Sequence, residues 1–198
     1  MNLPNKLTVM RILLVFVILI ISFLDIPGEV VGISLKYLII DIIFIIASIT
    51  DHYDGYLARK NNQITTFGKF LDPIADKILI VTTMLLLTER GTLPAWIPII
   101  TIFREFLVSG YRLVEAKEGG KVVAANIWGK IKTVTQMIAI ILMLIDSNKF
   151  FAFTTTKLSM PLMILNILGS TMMLISVIAC IFSGYTYLRN GKDLFKDK

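Results

Sequence analysis

Residues 35–58 read LKYLIIDIIFIIASITDHYDGYLA, and residues 68–87 read GKFLDPIADKILIVTTMLLL. Each stretch has the roughly 20 mostly apolar residues that a helix needs to cross a bilayer. Yet the first ends, and the second begins, with paired aspartates. A carboxylate is expensive in such surroundings, so an acid inside an apolar span reads first as functional. Fold class and site are therefore posed together: apolar helices with acids gathered at one end.

Four further runs of the same kind lie to either side. Residues 7–24 are broken only by Arg11, and 95–114 only by Arg104 and Glu105. Residues 127–145 carry Lys130 and Lys132 near their start, and 158–188 hold no charge at all. The last run is longer than a bilayer requires, so it should tilt or project. Turn-prone residues (Asp25, Pro27, Gly28, then Gly91 and Pro94) punctuate the series. The composition agrees: of 198 residues, 56% are apolar and only 17% charged, against about a quarter charged in soluble domains. That excludes a soluble globule, a disordered chain, collagen and a coiled coil. The expected fold is all-α and integral to the membrane, with six transmembrane helices, a short N-terminal interfacial segment and a single domain over 1–198. Cys180 and His52 are each the only one of their kind, which excludes a disulfide framework and a Cys/His zinc site.

The formal charge of +6 would suggest nucleic acid in a soluble chain, but here its distribution matters more and no nucleic-acid partner is expected. With six helices, sixteen of the twenty basic residues fall on the side of the termini; only Lys36, Arg90, Lys149 and Lys157 fall on the other. The asymmetry places both termini in the cytoplasm. The first apolar run has no small-residue cleavage site after it, so it reads as a retained helix.

Asp51 and Asp54 are spaced i,i+3, and Asp72 and Asp76 i,i+4, so each pair projects from one helix face. The short connection makes the two helices antiparallel neighbours whose acidic faces can oppose. Four facing carboxylates repel one another unless a cation intervenes. Oxygen-only ligands suit Mg²⁺ or Mn²⁺, and four carboxylates suit two such ions. Gly68, Asp72 and Asp76 form one stripe with an open notch, and Pro73 should kink the helix there. Gly55 and Ala58 leave room for a ligand, and Arg59 can meet a phosphate bidentately. Other readings are an acidic relay in an ion transporter, or plain pairing with lysines. The clustering of charge toward one face, with an uncharged last helix, argues against transport. Asp41 is read as packing or a helix–helix hydrogen bond, and His52 as pointing away from the acids.

The pattern Asp51-x2-Asp54-Gly55-x2-Ala58-Arg59-x8-Gly68-x3-Asp72-x3-Asp76 resembles, without departure, the signature of the CDP-alcohol phosphotransferase family. Eight set positions within 26 residues make the resemblance specific. It implies six membrane helices and transfer of a phosphatidyl or related phosphoryl group from a CDP-linked donor to an alcohol, with release of CMP. By the same resemblance, Asp51, Asp54 and Asp72 bind metal, and Asp76 is both ligand and base. Asn5 and Thr8 join Asp51, Gly55, Ala58, Arg59 and Gly68 around the donor. A homodimer is implied as well.

The acceptor is read from a second group of charges. Arg104 and Arg112 stand eight residues apart, about two turns on one helix face, with Lys130 opposite. Such a wall suits an acceptor that carries its own phosphate. Alternatively, Glu105 pairs with one arginine and Lys132 snorkels to the interface. The strings 2–8, 104–112, 129–133 and 184–193 are similar to those of bacterial family members that use CDP-diacylglycerol as donor and sn-glycerol 3-phosphate as acceptor. That resemblance implies a multi-pass protein of the bacterial cell membrane, in contact with membrane lipid, whose active site faces the cytoplasm. Inositol phosphate, serine and phosphatidylglycerol remain alternative acceptors.

Overall fold

The computed structural model describes residues 3–30, 32–60, 66–117 and 127–190. Six helices follow one another: α1 (Leu3–Phe23), α2 (Leu35–Lys60), α3 (Thr66–Glu89), α4 (Trp96–Lys117), α5 (Ile127–Ile145) and α6 (Met160–Asn190). They coincide with the six apolar runs to within a few residues. The N-terminal segment expected to lie apart at the interface is instead continuous with α1. Pro4 permits this because in a first turn its missing N–H has no helical partner to lose. Pro73 likewise falls inside α3 without ending it.

Two connections have structure that the apolar pattern did not announce. Between α1 and α2, β1 (Glu29–Val30) pairs antiparallel with β2 (Ile33–Ser34). Gly28 at φ +120° and Gly32 at φ +78° supply backbone conformations that other residues rarely adopt. Between α5 and α6, Asp146 accepts from Asn148 and from Asn166 Nδ2 at 2.6 Å, and a 3₁₀ turn spans Ala152–Thr154.

Polar contacts fix the direction of each helix. Lys36 Nζ donates to the Ser22 carbonyl, which pins the start of α2 to the end of α1. Arg90, just past α3, lies 3.8 Å over the Tyr37 ring and donates to the Leu144 carbonyl at 3.0 Å. The end of α3 therefore meets the start of α2 and the end of α5. Lys77 on α3 reaches Glu105 on α4, and Arg104 reaches Ser183 on α6. The chain thus runs up and down, so that α1 begins and α6 finishes at the end of the bundle where α2 gives way to α3. Lys36 and Arg90, two of the four basic residues expected on the far side, both satisfy carbonyls that a helix end leaves open.

Ile18, Ile40, Phe44, Met84, Leu87 and Ile140 pack a continuous core. Large apolar side chains also cover the outside, among them Leu13, Phe16, Ile20, Phe103 and Ile181. Water gives no account of such a surface, whereas a bilayer does. Asn5–Phe23, Ile127–Ile145 and Met160–Arg189 are each long and apolar enough to cross a membrane. The chain is a membrane protein. Among the described charges of α3 and α4, Lys77, Arg104 and Glu105 find partners within the bundle. A Cβ on Gly169 would lie 3.3 Å from Leu142 Cβ, so this glycine lets α6 approach α5 closely.

Arg90→Ala removes both a helix cap and a cation–π contact. It should lower unfolding stability in detergent by roughly 1–3 kcal/mol. Lys149→Ala, at an exposed neighbouring position, should stay within about 0.5 kcal/mol. Thermal unfolding of the two variants side by side checks the difference.

Candidate active site

The last turns of α2 hold Asp51, Asp54, Gly55, Ala58 and Arg59, and the first turns of α3 hold Gly68, Asp72 and Asp76. The backbone is helical through both sets, so each aspartate pair occupies one face of its helix. The side chains of Asp51, His52, Asp54, Ala58, Arg59 and Asp72, and the surroundings of Gly55 and Gly68, lie outside the described residues. Asp76 is described and half-buried.

The third wall of this end comes from α1, which packs against α2 and α3. Its inward positions are Asn5, Thr8, Arg11, Val15 and Ile18, all buried. The first three are polar and stand at the aspartate end; the apolar two continue into the core. Arg11, first noticed only as a break in an apolar run, is thus a fully enclosed cation in line with Asn5 and Thr8. The spacing of three residues from Asn5 to Thr8 to Arg11 is the signal in the sequence that reveals it. Asp41, also buried, leaves Oδ1 without a hydrogen-bond partner among the described residues, so that oxygen forms no helix–helix bond.

Cations gather around one carboxylate a little further along. Glu105 Oε1 accepts from Arg104 Nη1 at 2.8 Å and from Lys132 Nζ at 2.9 Å, and Lys77 Nζ stands 3.7 Å from Oε2. Lys77 also donates to Ser109, and Arg104 to Ser183. A Cβ on Gly129 would come 3.4 Å from Arg104 Nη2, and one on Gly184 would come 3.6 Å from Arg104 Cγ. Arg104 therefore runs between α5 and α6 alongside Gly129 and Gly184, where even a Cβ would meet it only in ordinary contact. Lys132 does not snorkel: its side chain is 6% exposed and ion-paired. Of the three cations expected in the acceptor wall, only Arg104 belongs to this cluster. Arg112 bonds Tyr187 Oη at 2.6 Å on α6. Lys130 is exposed, two residues before Lys132 and on the other side of α5.

The main cavity, of about 650 Å³, opens between α3 and α4 and is lined by Ile74, Lys77, Ile78, Val81, Ile102 and Phe106 among others. At about 100° per residue, Asp76 points nearly opposite to the row Ile74–Ile78–Val81. The cavity and the aspartates thus occupy different sides of α3, with Lys77 between them.

The helical membrane bundle thus sets two aspartate pairs at the adjoining ends of α2 and α3, with a buried cation cluster between α3, α4 and α5. A family profile described as CDP-alcohol phosphatidyltransferase matches residues 1–182. The chain belongs to that family. It is 48% identical over 154 residues to the CDP-diacylglycerol–glycerol-3-phosphate 3-phosphatidyltransferase of Bacillus subtilis, covering 75% of this chain and 79% of that protein. The protein of the same name from Rickettsia felis is 34% identical over 194 residues, covering 98% of this chain and 97% of its own. The one from Escherichia coli K12 is 38% identical over 145 residues, covering 70% and 74%.

Lys132→Met breaks a buried pair, while Arg104 and Lys77 still hold Glu105. It should cost about 1–3 kcal/mol of stability. Lys130→Met should cost less than about 0.5 kcal/mol. Denaturation midpoints of the purified variants separate the two lysines.

Proposed function

We propose that this protein transfers the phosphatidyl group of CDP-diacylglycerol to sn-glycerol 3-phosphate, giving phosphatidylglycerophosphate and CMP. The observation that carries the reading is the near end-to-end match to the Rickettsia felis transferase, with 98% of this chain aligned. The eight-position aspartate signature is intact within it.

In this reading all six helices cross the membrane of a bacterial cell, and the termini and aspartates face the cytoplasm, from which the water-soluble acceptor arrives and into which CMP leaves. Lipid tails enter sideways from the bilayer, and the protein works as a homodimer. Asp51, Asp54, Asp72 and Asp76 hold two divalent cations, Mg²⁺ or Mn²⁺. The donor set fits them, since it offers only carboxylate oxygens, arranged as two pairs on helical backbone. When bound, such ions neutralise the pyrophosphate as its bond to CMP breaks.

The protein's own groups do the rest. Asn5, Thr8, Asp51, Gly55, Ala58, Arg59 and Gly68 hold the CDP end of the donor, with Gly55 and Gly68 giving it room. Arg104, Arg112 and Lys130 attract the phosphate of the acceptor to the same end of the bundle. Asp76 accepts the proton of the attacking hydroxyl, whose oxygen bonds to the phosphorus that carries diacylglycerol. The bond from that phosphorus to the CMP oxygen breaks, and CMP leaves with the electron pair.

The experiment is a panel assay. Purified protein receives CDP-diacylglycerol, Mg²⁺ and one of sn-glycerol 3-phosphate, serine, inositol phosphate or phosphatidylglycerol, and released CMP is measured. Only glycerol 3-phosphate should support rapid release. Asp76→Asn, similar in shape but lacking the proton acceptor, should lose at least about 100-fold in turnover while still binding donor. Release with serine but not with glycerol 3-phosphate would overturn the assignment of the acceptor. An Asp76→Asn protein within a few fold of the parent would overturn the base.

A further inference from the structure

Among the described ion pairs, Lys77, Arg104 and Lys132 bring three positive charges to the one carboxylate of Glu105, two more than it balances. Little of this cluster is open to water: the side chains of Lys132, Arg104, Glu105 and Lys77 are 6, 12, 16 and 29% exposed. Within the cluster, Arg104 Nε is buried and has no hydrogen-bond partner among the described residues. A buried donor left unpaired and an unbalanced double charge are each unfavourable in a protein interior. A dianion with several acceptor oxygens relieves both. Phosphate monoesters have that charge and those acceptors.

We propose that Glu105 is a positioning residue for the phosphate of the acceptor. Its two oxygens hold Lys77, Arg104 and Lys132 in one converging arrangement, and so set the preference for a phosphorylated alcohol over a neutral one. The proposal rests on the acceptor assigned above, and it sets Lys77 and Lys132 beside Arg104 against the phosphate, leaving Arg112 and Lys130 outside the cluster. Ser109 and Ser183 hold the outer sides of Lys77 and Arg104, while Gly129 and Gly184 lie alongside Arg104. Lys77 directly follows Asp76 on α3. An alcohol whose hydroxyl reaches Asp76 can therefore place a phosphate a few bonds away against this cluster.

The sign of one effect distinguishes positioning from charge balance. Glu105→Gln makes the cluster more positive. If Glu105 only offset charge, the variant would bind phosphate more tightly. If it aims the cations, the variant binds more weakly despite the added charge. The half-saturating concentration of sn-glycerol 3-phosphate should rise about tenfold in Glu105→Gln, while that of CDP-diacylglycerol changes less than about twofold. Lys77→Met tests the same cluster where Glu105→Gln accumulates poorly, and it should raise the same concentration to a similar degree. An unchanged or lower acceptor concentration in the folded variant would overturn the positioning role and leave the acceptor reading intact. A parent enzyme that makes no use of glycerol 3-phosphate would overturn both.

Discussion

A charge buried among apolar helices has to meet its opposite, and in this protein that requirement decides which helices touch. Glu105 is the clearest case. Its carboxylate collects cations from α3, from its own helix and from α5, and Arg104 carries the linkage on to α6. At the far end, Arg90 performs the same service with a ring and a carbonyl, joining the ends of α3 and α5 to the start of α2. Dispersion between Leu, Ile and Phe side chains packs the core, but such contacts are as good with lipid as with protein. The polar contacts supply the direction and register that apolar surfaces leave undefined.

The same constraint divides the aspartate end into regions of opposite sign. Acids cap α2 and begin α3, while Asn5, Thr8 and Arg11 present a polar wall from α1. Of the cations around Glu105, Lys77 sits one residue further along α3 than Asp76, and the others come from α4 and α5. A reaction that brings an anionic donor and an anionic acceptor together needs both regions. In the proposed reaction the cluster would draw in the acceptor, and the carboxylates, holding their ions, would receive the pyrophosphate and the proton. The mostly apolar cavity between α3 and α4 lies away from Asp76 but is bordered by Lys77, Glu105 and Ser109 of the cluster.

Much of this was legible in the sequence, and the reasons it was legible are local. Six apolar runs bounded by glycine, proline and charge became six helices, because in a bilayer hydropathy alone nearly determines where a helix lies. The aspartate spacing survived because it depends only on helical periodicity, which the backbone of α2 and α3 keeps. What escaped depends on neighbours distant in the chain. Lys130 and Lys132 look alike in a list of charges, but they point to different sides of α5, and only contact with Glu105 distinguishes them. Arg11 resembled an interruption until α2 and α3 closed over it. The path of Arg104 past Gly129 and Gly184 depends on two other helices, although both glycines stand in the strings that carried the family resemblance. The small β1–β2 rung depends on two glycine dihedral angles that hydropathy does not report.

We propose that two aspartate pairs meet at the junction of α2 and α3 to hold divalent ions. Mn²⁺ binding to the purified, metal-free protein, followed by the loss of the free-ion electron paramagnetic resonance signal, tests this without turnover. Two bound ions per chain are expected, with a weakened isotherm in Asp54→Asn and in Asp72→Asn, and little binding when all four aspartates are replaced by asparagine. An isotherm for the fourfold variant that matches the parent would contradict it.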